Sequence, residues 1–258
     1  FLENLLGIEG YVPEAGYNQN FKGAAVPSYN IRVVDKIAFN PNHPFLADFT
    51  FLKEAVGNDG VHQAKATIPS PTMVLRQEVL ANDGSSKLAQ IYPNIEDFYA
   101  DLAKTYADAI QTFYALGCRY LQFDDTNWAF LADASKRESS WIFSGGYEVI
   151  AKELFATNYD GFFLEYDSDR AGDFKPLRYW HNPKSKVVLG LVTSKFPELE
   201  DKELVKERIK EATEYVPLEN LAISPQCGFA STEEGNKLTP EQQWAKMRLL
   251  QEIAKEVW

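Results

Sequence analysis

Acidic and sulfur-bearing side chains stand where short apolar runs end. Phe162-Phe163-Leu164 runs into Glu165, Tyr120-Leu121-Gln122-Phe123 into Asp124-Asp125, and Leu221-Ala222-Ile223-Ser224 into Pro225-Gln226-Cys227-Gly228. A carboxylate at the end of a buried strand is costly unless a cation, a metal or hydrogen-bond donors meet it. Glu165 therefore needs a partner, either a metal or substrate, or an ion pair with Arg170 or Arg178. Side chains alternate along a strand, so of Asp124 and Asp125 one faces away from the helical layer and the other toward it, where it could simply cap a loop. Cys227 lies in a loop bounded by Pro and Gly, open to a structural role or to one as thiolate ligand or nucleophile. Cys118 precedes its apolar run and reads as a small buried hydrophobe. A strand of six residues is ~20 Å long, so the two cysteines belong to opposite rims.

The three histidines add little. His43 lies at a helix start, His62 opens a strand and His181 sits in a polar loop. No His-x-Cys, His-x-His or Cys-x-x-Cys occurs, so no zinc site is complete in these residues. Glu165 with Asp124 could also be the carboxylate pair of a glycoside hydrolase, with Trp128 and Trp180 stacking on sugar. That scheme leaves Cys227 without a task.

The elements that must carry these residues alternate between helix and strand. Tyr29–Phe39 is β-rich. Pro44–Val56 is a helix with Phe45, Phe49 and Leu52 on one stripe and Gly57 as its stop. Val61–Ile68 is a strand, ended by Pro69-Ser70-Pro71. Asn94 caps a helix that runs to Leu116 and closes at Gly117. Strands follow at Arg119–Phe123, Gly161–Tyr166, Lys186–Val192 and Leu221–Ser224, with helices over Gly146–Ala156 and Lys202–Val216. Thr239-Pro240-Glu241-Gln242 opens the last helix, whose stripe reads Trp244, Met247, Leu250, Ile253 and Val257. Apolar strands alternating with helices predict an α/β fold around a parallel sheet. Ser70, Asp124, Asp125, Glu165, Asp167, Thr193, Ser194 and Cys227 all fall at strand C-terminal ends, the catalytic rim of a (β/α)8 TIM barrel. An open α/β sheet would also place ligands there. No Gly-x-Gly-x-x-Gly or P-loop pattern follows a strand.

Composition narrows the partners. The chain has 258 residues, 45% hydrophobic and 24% charged, with a net charge of −11. Such acidity argues against nucleic acid and anionic membrane as partners. No run approaches the ~18 apolar residues of a membrane span. Two cysteines in a chain this long suit a reducing, cytoplasmic setting. Phe1 opens without a basic n-region or an initiator Met, so the chain is expected to start inside a longer product.

Three stretches together carry a resemblance. Phe162-Phe163-Leu164-Glu165-Tyr166-Asp167-Ser168-Asp169-Arg170, Ile223-Ser224-Pro225-Gln226-Cys227-Gly228-Phe229 and Leu121-Gln122-Phe123-Asp124-Asp125 resemble the catalytic domain of cobalamin-independent methionine synthase. Ala171–Arg178 and Gly190–Lys195 are similar to the short single-barrel bacterial members, and the likeness runs from about Gly10 to Trp258. The resemblance implies a (β/α)8 barrel, a single domain over 1–258, that moves a methyl group from methyltetrahydrofolate, or another methyl donor, to the thiol of homocysteine. It implies zinc, with Glu165 and Cys227 as two ligands. Asp124 would hold the homocysteine amino group, Ser70 and Glu165 would face substrate, and Asp125 or Asp167 would relay a proton to N5 of the donor. The family's other two ligands, a His-x-Cys pair, should precede Gly145-Gly146-Tyr147. Ser135–Ser144 reads Ser-Lys-Arg-Glu-Ser-Ser-Trp-Ile-Phe-Ser, with neither ligand. A strand and helix are expected between Phe130 and Ser140, and a first strand before Phe1. The sequence is therefore expected to join the flanks of an omitted segment near Lys136–Glu138.

Overall fold

A computed structural model describes residues 1–12, 17–19, 25–27, 29–60, 64–75, 87–125, 146–229 and 237–258. The chain forms two compact units, Phe1–Asn18 with Ala25–Asn127, and Gln19–Ala24 with Trp128–Trp258.

In the first unit the chain opens with β1 (Leu6–Tyr11), β2 (Tyr17–Gln19), β3 (Ala25–Pro27) and β4 (Asn30–Ala38), paired as β1–β4 and β2–β3. The β1–β4 pair is antiparallel, from Leu6 opposite Ala38 to Tyr11 opposite Asn30, with an irregularity between Leu6 and Ile8. Gly7 makes it possible. Its φ is 78°, and a Cβ there would come within 2.4 Å of the Lys36 carbonyl oxygen. The β-rich segment at Tyr29–Phe39 thus pairs antiparallel, where alternation with helices predicted parallel strands.

Helix α1 (Pro44–Gly60) buries Phe49 and breaks at Gly57, whose φ of 71° interrupts the helix where a stop was expected. Strand β5 (Lys65–Pro69) and the short α2 (Leu88–Ile91) precede α3 (Ile95–Ala115). Asn94 caps α3 by accepting the Glu96 N–H at 3.3 Å. Phe98, Leu102, Tyr106, Ala109 and Phe113 recur at helical spacing and are all buried. The chain then enters β6 (Tyr120–Asp124), which pairs parallel with β5 so that Pro69 stands opposite Asp124. Tyr92 ties this unit together. Its hydroxyl accepts the Ile37 N–H and donates to Asp101, and burial pushes its phenol up to about 12.

The second unit contains α4 (Ala151–Phe155), β7 (Gly161–Glu165), β8 (Lys186–Val192), α5 (Lys202–Ala212), β9 (Leu221–Pro225) and α6 (Pro240–Val257). The strands lie in the order β7–β8–β9, all parallel, with Glu165 beside Gly190 and Gly190 beside Ser224. From Val187 to Val192 every residue of β8 is buried, as expected of a strand covered on both faces. Asp201 caps α5 through the Leu204 N–H, and α6 carries the predicted capping box between Thr239 and Gln242. The inward stripe of α6 differs from the expected one. Lys246, Leu249, Leu250 and Ile253 are buried, whereas Trp244 is exposed. Gly146–Ala156 begins as a 3-10 turn over Gly146–Val149 before α4.

The architecture is α/β, with parallel ladders of two and three strands and no closed barrel among the described residues. The segment around Lys136–Glu138 lies outside those residues. No helix among them is long and apolar enough to cross a membrane.

Candidate functional site

The C-terminal ends of β7, β8 and β9 place a polar cluster on one rim. Glu165 is the last residue of β7, Ser194 and Lys195 follow β8, and Gln226 and Cys227 follow β9. Parallel strands in register make this juxtaposition, because equivalent ends then fall side by side. Gln226 is the bridge. Its Nε2 donates to Glu165 Oε2 at 3.1 Å, and its Oε1 accepts from Ser194 Oγ at 3.2 Å and lies 3.8 Å from Cys227 Sγ. Ser194 Oγ is also 3.1 Å from that sulfur, and Lys195 Nζ donates to it at 3.3 Å. The Cys227 thiol contacts the Gly228 carbonyl at 3.3 Å. The Gln226 N–H donates to the Val192 carbonyl at 2.7 Å, so the bridging residue is held from its backbone as well.

Tyr147 supports Glu165 through its backbone. Its hydroxyl accepts the Glu165 N–H at 2.7 Å, and its ring packs against Tyr166, which packs in turn on Phe174. Tyr166 is wholly buried and its hydroxyl has no hydrogen-bond partner among the described residues. Burial pushes that phenol far above its ordinary range, so it stays neutral. Arg178, an expected ion-pair partner of Glu165, instead pairs with Glu148 beside Tyr147 and holds that carboxyl below the usual range. Asp167 follows directly on Tyr166, half-buried.

The ends of β5 and β6 carry the remaining candidates. Asp125 Oδ2 accepts hydrogen bonds from Ser70 Oγ at 2.8 Å and Thr72 Oγ1 at 2.6 Å, and the Ser70 N–H donates to the Asp124 carbonyl at 2.8 Å. Asp124 is exposed, and its carboxylate accepts from Gln122 Nε2 at 2.6 Å. The two aspartates thus differ in their surroundings, Asp125 held by hydroxyls and Asp124 open to solvent. Trp180 is committed locally, donating from Nε1 to Ser185 Oγ at 2.9 Å, and Trp128 lies outside the described residues. Cys118 is buried, with its sulfur 3.4 Å from the Tyr120 carbonyl.

The catalytic domain of cobalamin-independent synthases matches residues 144–255 by its sequence pattern. Two Bacillus subtilis proteins, the uncharacterized YxjH and YxjG, are 40% and 41% identical, each alignment covering the whole of this chain and 77% of the relative. A Listeria monocytogenes structure, provisionally named a vitamin-B12-independent methionine synthase, superposes with a TM-score of 0.70 at 38% identity, over all of this chain and 77% of that one. The chain belongs to the cobalamin-independent methionine synthase family. A family structure from Shewanella, a B12-independent methionine synthase in complex with selenomethionine, shares the fold at a TM-score of 0.65 and 16% identity, again over all of this chain and 77% of its own. The alignment with YxjH runs over 302 positions against the 258 residues here, so at least 44 positions of that family member have no counterpart in this chain.

Ser194, Lys195, Gln226 and Tyr147 have no individual role in a reading of the sequence. Their one signal is position, Ser194 at a strand end and Gln226 beside Cys227. Which of them touch the sulfur depends on the order of strands.

Proposed function

We propose that this chain moves a methyl group from a methyltetrahydrofolate-type donor to the thiol of homocysteine, giving methionine, with Glu165 and Cys227 as two ligands of a zinc ion. The observation that carries this reading is the convergence of those two side chains on the single amide of Gln226 at one strand-end rim. Thiolate and carboxylate are both donors that zinc accepts in a tetrahedral catalytic site. They are half of a four-ligand set. Among the described residues no three His, Cys, Asp or Glu side chains gather, and residues 126–145 contain neither His nor Cys. Tyr147, which follows in sequence the stretch where the family's His-x-Cys belongs, accepts the backbone N–H of Glu165 itself.

Bound zinc would supply a thiolate at neutral pH by taking the proton's place on sulfur. The chain's own residues then orient and protonate. Asp124 offers a solvent-open carboxylate for the homocysteine amino group, with Ser70 at the adjoining strand end, its N–H on the Asp124 carbonyl, and Glu165 faces substrate. Asp125 or Asp167 brings a proton to N5, since a tertiary amine leaves poorly unprotonated. As the S–CH3 bond forms, the N5–CH3 bond breaks and its electron pair takes that proton. A single (β/α)8 barrel is the fold that suits this reading, supported by the parallel ladders β5–β6 and β7–β8–β9. A reducing cytoplasmic setting is supported by two cysteines that form no disulfide.

Metal analysis of the purified chain tests the reading. We expect about one zinc per chain, lost in Cys227→Ser, together with methionine formation from homocysteine and methyltetrahydrofolate. No zinc in the wild type, or zinc retained in the variant, overturns it. The missing His-x-Cys pair favours a second reading, a barrel that binds folate or a thiol without catalysis; calorimetry would then show binding in a zinc-free, inactive chain.

A further inference from the structure

Lys246 lies on α6 among Leu249, Leu250 and Ile253, fully buried on a stripe that is otherwise apolar. An ammonium has three donors, and all three are used. Nζ donates to the Glu198 carbonyl at 2.6 Å and to Glu200 Oε1 and Oε2 at 3.0 and 3.1 Å. Glu200 Oε1 also accepts the Thr193 N–H at 2.8 Å. Glu200 therefore closes the loop that leaves β8, joining its first residue to its last, and Lys246 fastens the closed loop to α6. That loop supplies both Ser194 Oγ and Lys195 Nζ to the Cys227 sulfur.

A buried ion pair is a poor source of stability compared with well-packed apolar residues of the same size. Its use in the middle of an apolar stripe needs another reason, and the geometry points to positioning. We propose that Lys246 is a positioning residue for Cys227. Acting through Glu200, it holds the 193–200 loop in the one conformation that brings Ser194 and Lys195 onto the sulfur. Its relevance to catalysis rests on Cys227 being a zinc ligand, as in the proposed function, but the clamp itself requires neither zinc nor substrate.

The test uses the metal-free full chain and the rate at which DTNB modifies its two cysteines. Cys118 is buried in the other unit and serves as an internal control. Losing a hydrogen bond to a charged group shifts a loop-opening equilibrium by about tenfold. Lys246→Met should therefore raise the Cys227 rate about tenfold while Cys118 stays silent, and Lys246→Arg should restore the slow rate. A Lys246→Met chain that keeps its circular dichroism and shows the wild-type rate overturns the proposal. Should that variant lose its circular dichroism, the Lys246→Met/Glu200→Met pair removes both charges of the ion pair together and should show the same rise; a wild-type rate there is equally fatal. The wild-type chain gives a reading free of any substitution. Its Thr193 amide should exchange with solvent as slowly as those of β8, and exchange at the rate of exposed loop amides would overturn the clamp. Zinc content and methyl transfer are separate readouts, so failure of the proposed function leaves this result interpretable, and the reverse.

Discussion

Replacing Gly190 with Ala should perturb the rim through backbone alone. Gly190 sits on β8 between Glu165 on β7 and Ser224 on β9. A Cβ there would meet the Leu164 carbonyl oxygen at 3.1 Å, the Gln226 Cα at 3.2 Å and the Pro225 carbonyl oxygen at 3.2 Å. All three are backbone atoms on flanking segments, so no flexible side chain can swing aside. The strands must part by a few tenths of an ångström, and one of the two atoms displaced on the β9 side, the Gln226 Cα, belongs to the residue that bridges Glu165 and Cys227. Overpacking of this kind costs about 1–3 kcal/mol. In a unit of this size each kcal/mol lowers Tm by about 4 °C, so the expected drop is about 4–12 °C. Gly161, on the neighbouring strand, is the control. A Cβ there meets only the Lys186 carbonyl oxygen at 3.7 Å, and Gly161→Ala should stay within about 0.5 kcal/mol of wild type. Tryptophan fluorescence isolates the second unit, because all five tryptophans lie at position 128 or later. Urea unfolding followed at that signal, with DTNB reactivity of Cys227 alongside, gives stability and site geometry together. If Gly190→Ala is as stable as Gly161→Ala and its Cys227 rate is unchanged, the close approach of β9 to β8 at Gln226 is wrong.

Two further outcomes test other parts of the chain. Thr239→Ala removes the side chain that accepts the Gln242 N–H at 3.3 Å and half of the capping box of α6; it should cost about 1 kcal/mol in tryptophan-detected urea unfolding, with Thr239→Ser restoring most of it. In the first unit, His43 is buried, its Nδ1 accepts the Phe45 N–H at 3.2 Å and its Nε2 faces the Phe1 carbonyl, so the ring is neutral. Burial holds its pKa below the ordinary 6.5, and the unfolded chain therefore takes up a proton that the folded chain refuses. Its contribution is complete above pH 6.5 and shrinks as pH falls below that value toward the lowered folded one. Tyrosine-detected unfolding between pH 7.5 and 5 should show this slope, and His43→Asn should flatten it; an equal slope in the variant would assign the pH dependence elsewhere.

Much of the chain was legible because its signals are local. The spacing of Phe98, Leu102, Tyr106, Ala109 and Phe113 specifies a helix and its buried face, Asn94 and Thr239 start helices by the same capping chemistry that a reader can recognise, and the unbroken apolar run Val187–Val192 marks a doubly covered strand. Strand-end positions for Glu165 and Cys227 follow from those boundaries. The antiparallel pairing of β1 with β4 was not legible, since it rests on a glycine whose positive φ only the fold requires. Nor was the burial of Lys246 in place of Trp244. Helical period places both on plausible stripes, and the choice between them belongs to a carboxylate 46 residues away in sequence.

The residue types, their periodicity and their caps determined by themselves where strands and helices lie and which polar side chains stand at strand ends, because those preferences act within a turn or a few residues. Tertiary structure alone decided that Gln226 spans from Glu165 to Ser194 and that Lys195 reaches the Cys227 sulfur. Those contacts depend on the order β7–β8–β9 and its register, and register is set by packing among segments that are remote along the chain.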